Sequence, residues 1–189
     1  MIYTLPECVE IGGAECPIRW DYRSALDICA ALSDPELSEE ERCFIVLDIF
    51  YPNLDELPPE RYQEAVDRCL WFINCGEGRQ AAQTSPRLID WEQDFPLIAP
   101  PVNRALGREI RSKEPLHWWS FVGAYQEIGD CTFAQVVRIR ERLARGKPLD
   151  KSDREWYHRN RHLVDFKRKY THAEEDVLNA WGAADAAGG

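Results

Sequence analysis

Apolar residues recur along most of the chain with the period of a helix. From Asp21 to Leu32, the residues Ala25, Ile28, Cys29 and Leu32 fall on one stripe, and Ser38-Glu-Glu-Glu41 is a capping box opening a second helix through Phe44, Leu47 and Tyr51. After Pro58-Pro59, the positions Tyr62, Ala65, Val66, Cys69, Leu70 and Ile73 recur at helical spacing before Gly76 stops the pattern. The first 20 residues alternate instead. There Val9-Glu10-Ile11 and Glu15-Cys16-Pro17-Ile18 flank Gly12-Gly13, a pair suited to the positive φ of a tight hairpin turn.

A stretch rich in Gly, Gln, Ser and Thr from Glu77 to Arg87 reads as a linker. Beyond it, Asp90-Trp-Glu-Gln93 can cap a helix. Pro96, Pro100 and Pro101 make a straight continuation costly, so a kinked or broken helix is expected between Asp90 and Leu106. An apolar helix from Leu116 to Ile128 carries Trp118, Trp119, Phe121, Val122 and Tyr125. Thr132-Phe-Ala-Gln135 caps the next, through Val136, Ile139 and Leu143 to Gly146, and Ser152-Asp-Arg-Glu155 opens another to about Phe166. A last helix is expected from Thr171 to Trp181, followed by a frayed end from Ala183 to Gly189. The pattern predicts a mainly α fold, a helical bundle with a short N-terminal β-hairpin. Its expected organisation is a hairpin plus three-helix sub-bundle over 1–76, a linker over 77–87, a second helical sub-bundle over 88–166, and an acidic terminal helix and tail over 167–189.

Composition narrows the class. The chain has 189 residues, 44% of them hydrophobic, with seven each of Trp, Tyr and Phe, enough for a packed core and against disorder throughout. No basic and apolar leader opens the sequence and no stretch approaches a membrane span, so an intracellular protein without membrane contact is expected. The seven cysteines are scattered, with no Cys-x-x-Cys, which suits reduced thiols used as small core side chains.

The formal net charge of −10 is unevenly distributed. Residues 1–76 carry −11, residues 77–137 carry −2, residues 138–170 carry +7 and residues 171–189 carry −4. An acidic whole argues against generic binding to phosphate backbones or anionic membranes. The basic segment nevertheless interleaves Arg138, Arg140, Arg142, Arg145, Arg154, Arg159 and Arg161 with Trp156, Tyr157 and His158, so single-stranded nucleic acid stands as one reading. Pairing with the acidic first half, or with an acidic protein surface, fits the low pI better.

The candidate chemistry is sparse. Adjacent helical residues point about 100° apart, so Trp118 and Trp119 cannot share one pocket, and one should face another helix or a partner. In the plainer reading both are structural, with His117 making a satisfied hydrogen bond near the helix start. Asp90 and Asp94 could do acid/base work or hold a hard cation, but acids in a first turn also suit the helix dipole. His158 and His162 have the spacing of a zinc pair without the intervening glutamate or a third ligand, and read better as a solvated basic face. Neither a nucleophile elbow nor a phosphate loop nor a dinucleotide fingerprint occurs, so no enzyme, cofactor or metal is expected.

Several segments together carry a resemblance. These are Leu5-Pro6-Glu7 before Ile11-Gly12-Gly13, Pro17-Ile18 with Asp21-Tyr22-Arg23, and the Leu70-Trp71-Phe72 to Cys75-Gly76 helix end. Asp90-Trp91-Glu92-Gln93-Asp94, Leu116-His117-Trp118-Trp119 with Phe121, and Cys131-Thr132-Phe133 leading to Arg140 complete the set. Over roughly residues 5–145 the chain resembles the gene-product-fifteen family of tailed bacteriophages and prophages. Pro96, Pro100, Pro101 and Gly107-Arg-Glu-Ile110 depart from the family pattern, and residues 146–189 are poorly matched. The resemblance implies a tail assembly chaperone or accessory factor in the host cell cytoplasm, without catalysis, whose partner is the tape measure or another tail protein. The expected partner-binding residues are Trp118, Trp119, Arg138, Arg142 and Trp156. A structural subunit retained in the virion at the tail or connector, and a nucleic-acid-binding module using 138–170, are the alternatives.

Overall fold

In the computed structural model, which describes residues 4–77 and 86–167, the chain first turns back on itself at Gly12-Gly13. Their φ angles of 59° and 84° are those of a two-residue hairpin turn between β1 (Cys8–Ile11) and β2 (Ala14–Pro17), in the register Ile11 opposite Ala14. Val9 and Ile11 point inward and are buried.

Helices follow in the predicted order. Asp21 caps α1 (Tyr22–Leu32), and a complete Ser38/Glu41 capping box opens α2 (Glu39–Phe50). The inward face of α2 is Val46, Leu47 and Phe50. Phe44 was expected on the apolar stripe, but it points outward with 57% of its surface exposed. After two 3-10 turns, α3 (Tyr62–Ile73) buries Ala65, Cys69 and Phe72. It is stopped where Cys75 and Gly76 both take positive φ and the Gly76 N–H donates to the Trp71 carbonyl at 2.9 Å.

The segment with three prolines does not break. One helix, α4 (Trp91–Leu106), runs through Pro96, Pro100 and Pro101 to a left-handed Gly107. Each proline removes one N–H from the ladder, but Asp90 secures the first turn, and Ile98, Ala99 and Val102 are fully buried along the inner face. Tertiary packing overrides the local preference here.

Three further boundaries differ from expectation. Helix α5 (Trp118–Gln126) starts only after His117, which caps it. Helix α6 (Thr132–Ala144) is capped by the Cys131 thiol, which accepts from Ala134 N–H at 3.5 Å, and not by Thr132. The helix expected to run on to Phe166 is interrupted at Asn160, giving α7 (Lys151–Arg159) and a single turn, α8 (Arg161–Val164). The Asn160 side-chain amide and its backbone N–H both bond the Trp156 carbonyl, a local alternative to helical continuation.

The fold is mainly α with a two-stranded N-terminal hairpin. Its main core runs from Val9 to Phe133 and draws on both sides of residues 77–87. A second, smaller cluster joins Val136, Ile139, Leu149 and Val164, with Trp156 and Tyr157 against it. Cys69 is fully buried and Cys16, Cys75 and Cys131 pack partly buried against the core, in line with core thiols, whereas Cys8 and Cys43 are exposed. Among the described residues no helix is long and apolar enough to cross a membrane. The expected terminal helix from Thr171 to Trp181, and most of the linker, lie outside the described residues.

Candidate functional site

The His-Trp-Trp run is a clamp on the end of α3. Trp118 is 3% exposed, and its indole N–H donates to the Ile73 carbonyl at 2.9 Å. The Trp119 indole N–H donates to the neighbouring Phe72 carbonyl at 2.8 Å. The last carbonyls of a helix have no intrahelical partner, and two indoles that diverge from one helix meet two successive carbonyls of another. His117 Nδ1 accepts from Trp119 N–H at 3.1 Å, which leaves Nε2–H to donate to the Pro6 carbonyl at 3.0 Å. Both tryptophans therefore spend their polar atoms inside this molecule, and Trp119 packs edge-on against Trp71.

Asp90 and Asp94 serve the structure in different ways. Asp90 accepts the N–H groups of Glu92 and Gln93 and pairs with Arg87. Asp94 is fully buried and meets Arg140 through two parallel hydrogen bonds of 2.6 and 3.0 Å. Arg140 is itself 4% exposed. Its remaining donors go to the carbonyls of Leu88, Leu163 and Val164, and its guanidinium lies 4.1 Å from the centre of the Phe166 ring. All five N–H groups are used, the condition under which a buried ion pair is tolerated. Sequence reasoning placed Arg140 in a basic surface and missed the pair. The signal was available, because each residue stands on the apolar stripe of its helix: Asp94 with Ile98 and Val102, Arg140 with Phe133 and Val136.

The other expected partner-binding residues have neighbours of their own. Arg138 pairs with Asp153 at 2.7 Å, Arg142 reaches both Asp153 at 4.0 Å and the Pro148 carbonyl at 2.9 Å, and Trp156 packs against the second core cluster. The tryptophan clamp sits on α3, so the five residues belong to two separate regions. Among the described residues, the basic segment pairs with Asp94, Glu141, Asp153 and Asp165 rather than with the acidic residues 1–76. The break at Asn160 takes His158 and His162 off a common helix, and both are exposed. Among the described residues, no group of three or more His, Cys, Asp or Glu could hold a metal.

A surface the pattern did not predict lies between α1 and α4. A groove of about 610 Å³ is walled by Tyr22, Leu26, Ala30, Trp91 and Phe95 and edged by four charged residues. Tyr22 stacks on Phe95 at 6.3 Å, and the Tyr22 hydroxyl donates to the Ile110 carbonyl at 3.1 Å. Arg23 donates to the Ile110 and Ser112 carbonyls and pairs with Asp21, while Arg111 pairs with Glu109, so both arginines are answered by carboxylates. Asp27, one turn further along α1, and Glu92, in the first turn of α4, add carboxylates to the lining. Desolvation raises the Asp27 carboxyl above its ordinary value although the residue as a whole is exposed. Helical periodicity could not reveal the groove, because its walls, half-buried at Leu26, Trp91 and Phe95, come from two helices far apart in sequence.

The family model described as bacteriophage Gp15 protein matches residues 1–96, just over half of the 189-residue chain. That stretch holds the hairpin, α1 to α3 and the start of α4, and with it every groove residue except Arg111. No curated protein and no solved structure matches the chain.

Proposed function

Because the chain belongs to the bacteriophage Gp15 protein family, we propose that it is an assembly factor of the phage tail that acts in the host cytoplasm by binding partner proteins, without catalysis. Its leading partner in this reading is the tape measure protein. A long helical tape measure exposes apolar stripes until the tail tube forms around it, and a bundle that covers one stripe keeps it from aggregating. The observation that carries the reading is the α1/α4 groove, apolar along its walls and edged by charged residues, the form suited to an amphipathic helix. This moves the expected binding surface away from Trp118 and Trp119, whose indoles are committed to α3.

Co-expression with a tape measure fragment tests it. The fragment should remain soluble with the parent chain and precipitate with Ala30→Asp, a change at an exposed groove residue outside the core cluster. A fragment that is no more soluble with the parent than with an unrelated helical protein would overturn the proposal. A chaperone should also be present in lysates and absent from purified particles, whereas a virion subunit would be found in both.

A further inference from the structure

The outer face of α2 has no cation of its own neighbourhood to answer it. The five cations of residues 1–76 are all arginines, and each is committed: Arg19 and Arg42 to backbone carbonyls, Arg23 and Arg61 to Asp21 and Glu64, and Arg68 to the Glu10 carbonyl. On α2, Glu40, Phe44 and Asp48 follow at four-residue spacing and so share one face. All three are exposed, and the two carboxylates meet no cation among the described residues. Phe44 is the most exposed of the large apolar side chains described. An aromatic ring held out between two acids on a rigid helix has the form of an interface anchor.

The complement lies at the other end of the chain. Where α6 ends against α8, Leu143, Ala144, Val164 and Phe166 wall a pocket of about 260 Å³. Leu143 and Phe166 are themselves among the exposed large apolar side chains. The charged residues of the lining are already answered, Arg87 by Asp90, Arg140 by Asp94 and Asp165 by Arg161. Two cations next to the lining are not. Lys147 follows the last turn of α6, Lys167 follows Phe166, both are exposed, and neither ammonium meets a carboxylate among the described residues. The pocket is therefore apolar inside with a surplus of positive charge beside it, where the α2 face is apolar at its centre with a surplus of negative charge. Phe44 points to solvent, so it does not fill the pocket of its own molecule.

We propose that Phe44 of one copy seats in the α6/α8 pocket of the next, with Glu40 and Asp48 set against Lys147 and Lys167, so that this protein associates with itself head to tail. Knob and pocket are different surfaces, so the contact is heterologous, and every added copy brings a fresh knob and a free pocket. The α1/α4 groove shares no residue with either surface, so the association stands whether or not that groove takes a partner.

Small-angle scattering of the full chain tests this. One buried ring with two exposed ion pairs suits a dissociation constant on the order of 0.1–1 mM, so the average mass should rise with concentration toward about 1 mM. Phe44→Glu and Leu143→Glu change exposed residues outside both core clusters, and each variant should stay monomeric with unchanged melting. Mixed in equal amounts they should form pairs and nothing larger, because one supplies the pocket and the other the knob. Lys147→Glu with Lys167→Glu should weaken self-association about threefold to tenfold, and mixing that variant with Glu40→Lys, Asp48→Lys should restore it. A parent chain that remains monomeric at about 1 mM would overturn the proposal and leave both surfaces to other proteins. So would self-association of Leu143→Glu alone, which would place Phe44 in some other contact, or a mixture of the two single variants that forms no pairs.

Discussion

Single side chains in this protein do their work mostly on backbone groups that secondary structure leaves unpaired. Trp119 shows the scale of the effect. Trp119→Phe keeps most of the ring packing against Trp71 but removes one of the hydrogen bonds on the Phe72 carbonyl, which still accepts from the Cys75 N–H, so denaturant unfolding should show a loss of about 1 kcal/mol. Trp118→Ala removes a buried ring as well as a hydrogen bond and should cost about 3–5 kcal/mol. If Trp118→Ala proved no worse than Trp119→Phe, the clamp would not be holding α3. Glu109 has a different role, tying the loop after α4 together. Its carboxylate accepts from the Arg111 side chain and N–H and from Asn103, and these bonds lower it from its ordinary value to about 2. A lowered folded value means that the stabilisation is present above the ordinary carboxylate range and is lost as pH falls toward about 2. Glu109→Gln should therefore lower stability at neutral pH and flatten the acid limb below pH 4.5, so that parent and variant converge as pH falls toward about 2.

Between elements, the strongest tie is the buried Asp94–Arg140 pair, which joins α4, α6, the turn of α8 and the strand of chain at Leu88. Asp94→Ala would strand a buried guanidinium and should cost about 3–5 kcal/mol. Removing both charges with Asp94→Leu and Arg140→Met should recover only part of that loss, because three carbonyls would still lack their donor. Full recovery in thermal unfolding would show those backbone bonds to be unimportant. This tie also marks where sequence reading reaches its limit. Ser38-Glu-Glu-Glu41, Gly12-Gly13 and the stripe from Tyr62 to Ile73 act within a few residues of themselves, so local rules place them correctly. Asp94 and Arg140 are 46 positions apart, and an unbroken helix through three prolines depends on what its inner face is packed against. Those outcomes are decided by tertiary contacts that no local period encodes.

At the scale of the whole molecule, the uneven charge and the burial of thiols both report how the chain closes around one main core. The basic segment answers its own carboxylates, which leaves the acids of α2, Glu39, Glu40 and Glu41, directed to solvent beside the exposed Phe44. Thiol chemistry gives a global readout of the same closure. Burial pushes Cys29 and Cys75 up to about 11 and Cys69 higher still, while Cys8 and Cys43 are open to solvent. The thiolate is the reactive form, so iodoacetamide at pH 8 should label Cys8 and Cys43 first, with Cys29, Cys69 and Cys75 protected until the core opens. Peptide mapping of a time course would check this order. For each protected thiol the folded value is raised, so its protonated form stabilises the fold below the ordinary value of 9.0, and that support is lost as pH rises through about 11. Alkaline unfolding should accordingly coincide with the sudden labelling of Cys29, Cys69 and Cys75 together. Labelling of Cys69 at pH 8 as fast as Cys43 would show that α3 is not seated against the core.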